Sequence, residues 1–387
     1  ERIFRGKYPT VDRSRRKFGE KVVREPIPPA YAAEILTVVT ALNDMEQSEV
    51  VWDCGTRGLG VVVSDSMMFQ RGEPDGSDPH LGSFYGLALP LVKRGIPAEP
   101  VQLENATIPG ALAPHKVLFM TYEGMKPMSP DVHTALADWV KQGGSLVFLG
   151  DDRDPYNGVH AWWNDASKGH SYRAPREHLF EQLGLAKDAP AGAHKVGKGT
   201  FFYDTSGPAK LTYRRDGADQ IRALARRACE AAGLEYRETN YLSLRRGPYV
   251  VAAGLDESLP DAPRVLRGRF LDLFDARLPV LTSVSLTPGS RRFLIDLDHR
   301  STAGPAVLAS SFKVLGSEKT ADGALRFHAE GPDKVGAVAR VRLESAPKQI
   351  TVDGSPLPAD SYTWDPETRT VLIRFANSAA GHRVEVR

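Results

Sequence analysis

Two hydrophobic periods alternate over the first two thirds of this chain, and only one of them continues to its end. GVVVSD (60–65) reads as a short buried strand. Asp78-Pro79 then opens a helix that runs through Leu87 and Leu91 to a stop at Gly95. EPVQL around Val101 and HKVLFMTYEG from Lys116 supply two further strands. Ser129-Pro130 starts a helix with Val132, Leu136, Trp139 and Val140 on one face, and Gly143-Gly144 ends it before the strand SLVFLG. A helix near Pro175 to Leu183, the strand GTFFYD and a long helix from Ala218 to Ala232, with Asp216 as its expected cap, complete the series. Strands alternating with helices of this length predict right-handed crossovers and a mostly parallel sheet covered on both faces. The expected fold class is therefore α/β, a flavodoxin-like domain over residues 51–240.

The flanks follow other rules. Residues 1–50 open on an irregular basic stretch with Arg13, Arg15, Arg16 and Lys17. A helix follows Pro28 and Pro29, with Ile35, Leu36, Val39 and Leu42 recurring at helical spacing. Such a helix ahead of a new domain is expected to finish a preceding one. After Leu234 the helical period stops, and short apolar runs are separated by Gly, Pro and Asp turns. We expect a β-rich segment over 241–300 and an all-β C-terminal domain, a β-sandwich, over 301–387.

Length and charge narrow the function. At 387 residues the chain exceeds one ordinary core. With 50 Lys and Arg against 48 Asp and Glu, no general attraction to nucleic acid or an anionic membrane is expected. No apolar run approaches the ~20 residues that cross a bilayer. The chain opens on Glu1, and the charged residues 1–21 do not resemble a secretion signal, so we expect the C-terminal part of a longer protein or one that has lost a leader. Cys54 and Cys229 are far apart and lack metal-type spacing, which leaves the redox compartment open. Cys229, on the apolar face of a helix, is expected to be an inert core thiol.

Candidate chemistry concentrates where SLVFLG runs into DDRDPYNGVHAWW. In open α/β sheets, ligands bind beyond the carboxyl ends of the strands. Asp151, Asp152, Asp154 and Asn157 offer polar partners there, while Tyr156, Trp162 and Trp163 offer flat apolar faces. That combination suits a sugar, whose hydroxyls seek hydrogen bonds and whose C–H faces stack on rings. Ordering of their own loop is the equal alternative for the aspartates. If the segment is extended, the adjacent tryptophans point to opposite sides and one of them belongs to the core.

Other chemistries fit less well. The tight turn that would carry a nucleophile after the third strand reads MTYEGM, without cysteine, and no G-x-S-x-G elbow occurs. CGTRGLG (54–60) precedes its strand and lacks the P-loop lysine, and Gly72 to Pro79 reads as a polar loop. His160, His170 and His178 match no zinc spacing. The aspartates could offer Ca²⁺ oxygen ligands but lack the Gly and distal Glu of an EF-hand loop. No cofactor or resident metal is expected.

The succession GVVVSDSMMFQ, GLALPLVKRGIPAEPVQLE and KVLFMTYEGMKPMSPDVHTALADWVKQGGSLVFLG resembles the amidotransferase-like middle domain of multidomain glycoside hydrolases. β-Galactosidases with a trimerisation domain are the nearest case, and galactosyl-N-acetylhexosamine phosphorylases are built on similar lines. The resemblance covers about Val51 to Gly150 by pattern and the remainder by domain order. It implies a catalytic TIM barrel ahead of this chain, a class I amidotransferase-like domain that has lost its nucleophile, and a small β domain at the end. Catalytic carboxylates of such families lie in the barrel, so no catalytic residue is assigned here. LRRGPYVVAAGLDES and DDRDPYNGVHAWW depart from the β-galactosidase pattern.

The expected function is a non-catalytic assembly and substrate-rim portion of a bacterial carbohydrate-active enzyme. Its expected partners are a carbohydrate, the barrel of the parent protein and, as a further candidate, a second copy of itself. Two rivals stand beside it. One is a self-sufficient, metal-assisted or sugar-modifying hydrolase using Asp65, Asp151 and Asp152; the other is a glycan-binding or scaffolding module.

Overall fold

The computed structural model describes residues 8–9, 24–25, 28–45, 49–68, 81–299, 304–320 and 323–387. Arg13, Arg15, Arg16 and Lys17, the loop from Gly72 with its helix start at Asp78-Pro79, and Ser301 lie outside the described residues.

Five parallel strands form the central sheet in the spatial order Glu99–Gln102, Leu59–Val63, Val117–Met120, Ser145–Leu149 and Gly199–Asp204. Numbered along the chain they run 2-1-3-4-5, the doubly wound order of flavodoxin-like sheets. Val117–Met120 and Ser145–Leu149 are buried throughout, which is why they read as unbroken apolar runs rather than as alternation. Gly82–Val92 and Gly217–Ala231 cover one face, where Leu87, Leu91, Ile221 and Ala225 pack on Val61, Phe119 and Val147. Asp131–Lys141 and Pro175–Gln182 cover the other, where Val132, Leu136, Leu179 and Phe180 pack on Leu118, Leu146 and Phe148. Gly199 lets its strand start beneath a helix end, since a Cβ there would lie 2.1 Å from the Val140 carbonyl oxygen.

Three local expectations are corrected. A strand absent from the sequence reading, Gly192–Val196, adds an antiparallel edge beside Gly199–Asp204. Its alternation is half-exposed, and its turn is only Gly197-Lys198, too short to have stood out. Asp216 precedes Gly217–Ala231 but makes no cap bond; its carboxylate pairs with Arg214 at 2.6 Å. In Pro29–Asp44 the buried positions are Ala33, Thr37 and Ala41, while Val39 and Leu42 are exposed. Small side chains on that face let the helix lie close against the strands Ala306–Ser310 and Gly336–Arg342.

The remaining sheets are antiparallel. Val50–Trp52 is the edge of a six-stranded sheet continued by Tyr241–Arg246, Tyr249–Gly254, Arg291–Asp296, Arg264–Asp272 and Val280–Leu286. A strand that precedes the parallel sheet in sequence thus pairs with strands that follow it. Two further sheets of four and five strands enclose a shared core of Phe312, Phe327, Val341, Val371, Ile373 and Val384. Among the described residues no helix is long and apolar enough to cross a membrane.

Candidate functional site

In this strand order the direction of winding reverses between Leu59–Val63 and Val117–Met120, so a crevice is expected where their carboxyl ends diverge. The loops there are Ser64–Met68, Thr121–Ser129 and, one strand further, Gly150–Arg176.

Hydrogen bonds tie the first two loops together. The Ser66 hydroxyl accepts from the Lys126 N–H at 2.7 Å and donates to the Lys126 carbonyl at 2.6 Å. Ser64 donates to Glu104 Oε1 at 2.6 Å, a serine–carboxylate contact buried too deeply for the hydroxyl to meet a substrate. Lys126 itself turns inward. Its ammonium donates to the Tyr122 carbonyl and lies 3.3 Å from Asp154 Oδ1, reaching across to the third loop. Burial pushes this lysine down to about 8, against the opposing pull of Asp154.

Each aspartate of the acidic loop meets a different cation of the protein. Asp154 takes Lys126 and also accepts the Gly124 and Tyr156 N–H groups. Asp152, at a left-handed φ of 58°, accepts a forked contact from Arg176, whose guanidinium lies over the Phe180 ring at 4.5 Å. Asp151 pairs with Lys210 and accepts the Arg153 N–H at 3.1 Å. Burial works against the Asp151 carboxylate, yet the Lys210 and Arg153 contacts together hold it below the usual range. Glu123 is likewise engaged, accepting the Ala209 N–H at 3.0 Å.

The remaining candidates brace the loop. Asn157 donates to the Asp152 carbonyl at 3.0 Å, and the Trp163 indole N–H donates to the Asn157 carbonyl at 3.0 Å. Trp163 is the buried tryptophan, and Trp162 is half-buried with its N–H on the Pro127 carbonyl. Both lie in a short 3-10 turn, Trp162–Asn164. Tyr156 is buried, and its hydroxyl has no hydrogen-bond partner among the described residues.

A chain of buried rings adjoins the loop, and in it His133, a residue the sequence reading did not single out, joins Tyr122 to His178. The Tyr122 hydroxyl contacts His133 Nε2, and His133 Nδ1 lies 2.8 Å from His178 Nδ1. Trp162 packs edge-on against both histidines. A contact between two Nδ1 atoms needs one donor and one acceptor, so the neutral rings hold opposite tautomers. Burial, with His178 adding to it, holds His133 well below its ordinary value; burial and then His170 lower His178. Burial raises the Tyr122 phenol well above its own. His133 follows Val132 on the buried face of its helix, the one sequence signal that could have located it.

What these groups can do chemically is limited by space. The pocket bordered by Tyr122, Glu123, Asp151, Asp152, Asp154 and Arg176 holds only about 10 Å³, room for one water at most. Asp65 is not brought to it. Asp65 bonds Gln102 at 2.8 Å, and its strand stands two places from that of Asp151, about 10 Å at ordinary strand spacing. Among the described residues no group of three or more His, Cys, Asp or Glu could hold a metal. Cations of the protein stand against the loop carboxylates that a Ca²⁺ ion would need.

No family model and no curated protein matches this chain. Solved structures that match it include a catalytic mutant of Gan42B, a GH42 beta-galactosidase from G. stearothermophilus, at 13% identity and a TM-score of 0.39. The match covers 62% of this chain and 40% of that one. A beta-galactosidase from Bacillus circulans sp. alkalophilus matches at 12% identity and a TM-score of 0.36, over 62% of this chain and 42% of its own. A rhamnosidase from Novosphingobium sp. PP1Y matches at 11% identity and a TM-score of 0.26, over 75% and 32%. The chain therefore spans well under half the length of these glycoside hydrolases, and TM-scores this low carry neither fold nor activity over to it.

Proposed function

We propose that the chain is a non-catalytic assembly and substrate-rim portion of a bacterial carbohydrate-active enzyme, of glycoside hydrolase or phosphorylase type, whose catalytic barrel lies outside these residues. In this reading residues 51–240 are an amidotransferase-like domain without its nucleophile, 241–300 a β-rich segment and 301–387 a sandwich. One observation carries the non-catalytic part. The pocket beyond the carboxyl ends of Val117–Met120 and Ser145–Leu149, where the acidic loop gathers, is filled by the chain's own ion pairs and keeps about 10 Å³ free.

The carbohydrate part rests on the sequence resemblance and on the rim of that pole. Trp162, Asp151 and Asn157 are half-buried and Asp152 is exposed, while Tyr156 and Trp163 are buried within the same loop. A half-exposed indole in a loop that also carries polar groups suits the outer face of a sugar held chiefly by another domain.

Aryl-glycoside hydrolysis, measured for this chain and for the natural gene product from source cells, tests the reading. The expected result is turnover by a natural product much heavier than 42.3 kDa and none by the chain alone. Turnover by the chain alone would favour the self-sufficient hydrolase. A natural product of about this mass, inactive on every glycoside, would overturn the proposal in favour of a binding or scaffolding module.

A further inference from the structure

A cavity of about 520 Å³ lies away from the parallel sheet, in the six-stranded sheet. One wall is the edge strand Val50–Trp52 and the residue after it, Asp53. The other is Arg264–Arg267, the half of its strand that pairs with Val280–Leu286 alone because Arg291–Asp296 bonds only from Phe270 onward. A register shift between Arg267 and Phe270 marks the change, and Gly268 takes a φ of 145° that favours glycine. Ser243, Arg245, Val250 and Phe270 also line the cavity.

Its charge is unbalanced. Three guanidiniums, from Arg245, Arg264 and Arg267, line the cleft against one carboxylate, Asp53, which Arg264 holds at 3.0 Å. Arg245 gives Nη2 to Asp296 at 2.7 Å, while its buried Nη1 has no hydrogen-bond partner among the described residues. Arg267 makes no ion pair among those residues. Arginines gathered in a cleft focus a positive potential, and Arg267, which makes no ion pair among the described residues, can turn its planar fork to a carboxylate.

We infer that this cleft binds a carboxylate-bearing sugar, a hexuronate unit. Arg267 takes the carboxylate within the positive potential to which Arg245 and Arg264 add, Asp53 accepts from ring hydroxyls, Ser243 accepts from or donates to them, and Val250 and Phe270 meet the apolar face. The volume lies within the range of small-ligand pockets. The site shares no residue with the pole of the parallel sheet and stands whether or not the proposed enzyme role does.

Calorimetric titration of the whole chain with glucuronate, glucose, sulfate and hexaglutamate tests the inference. Expected is saturable binding of glucuronate with Kd on the order of 1 mM or tighter, weakened by salt. Glucose and sulfate should bind about tenfold more weakly or not at all, since each lacks half of the recognised chemistry. Arg245→Gln and Arg267→Ser should each weaken glucuronate about tenfold. Arg245→Gln also loosens Asp296, so the exposed Arg267→Ser decides if the first variant fails to fold. Absence of glucuronate binding, equal binding of glucose or sulfate, or indifference to Arg267→Ser would overturn the inference. Binding of hexaglutamate in preference to glucuronate would overturn it too, and would make the two strand edges a site for an acidic peptide.

Discussion

Lys126 Nζ lies 3.3 Å from Asp154 Oδ1 with both side chains only 4% exposed, so a buried ion pair joins the loops that follow two neighbouring strands. Taking such charges out of water is costly, and their attraction repays it only while both partners stay. Lys126→Met should therefore destabilise the chain by about 3–5 kcal/mol by stranding the Asp154 carboxylate. Adding Asp154→Asn should recover a large part of that loss. Urea unfolding of the single and double variants measures both, and additive losses would mean that the pair is not coupled.

The paired histidines set a pH dependence. Their folded-state values lie below the ordinary 6.5, so between the two the unfolded chain binds more protons than the folded one. Stability then rises with pH in that window, and it is lost as pH falls below 6.5. Melting temperature should drop as pH falls through and below about 6.5. His133→Gln should flatten that drop. An equally steep drop in the variant would place the dependence elsewhere.

The two tryptophans should separate by stability. Trp163 is buried and braces Asn157, so Trp163→Ala should cost about 3–5 kcal/mol. Trp162→Ala, at a half-exposed site, should cost clearly less. Chemical unfolding gives the comparison, and equal losses would remove Trp162 from the rim and make it core.

Cys54 and Cys229 are both buried and free. Burial raises each thiol, Cys229 to about 11, so little thiolate forms near neutral pH. A thiol reagent such as DTNB should label the folded chain slowly and find both thiols once it is unfolded in urea. Fast labelling of one thiol in the folded chain would show an opening at its site.

Much of the α/β unit was legible in the sequence, because its signals are local. Val117–Met120 and Ser145–Leu149 are unbroken apolar runs between turn formers, and Leu87, Leu91, Val132 and Leu136 repeat at helical spacing. Where a signal was weak or had two readings, the sequence reading went astray. Gly192–Val196 alternates on a half-exposed edge, and Pro29–Asp44 buries its alanines because the sheet beneath it sits close.

The acidic loop shows the division most clearly. The sequence by itself determined that acids and aromatics gather after the strand Ser145–Leu149, since chain order alone places them there. Only the tertiary structure decided which cation each acid meets. Lys126, Arg176 and Lys210 lie 28, 24 and 59 positions from Asp154, Asp152 and Asp151, and nothing in their spacing foretells the pairing. The arginine cleft is of the same kind. It joins Arg245 to Arg264 and Asp53, residues from three separate stretches that face one another because the sheet's strand order puts them there. Period and turn chemistry act over a few residues and can be read along a line, whereas the meeting of distant charges depends on which loops the packed strands bring to the same side.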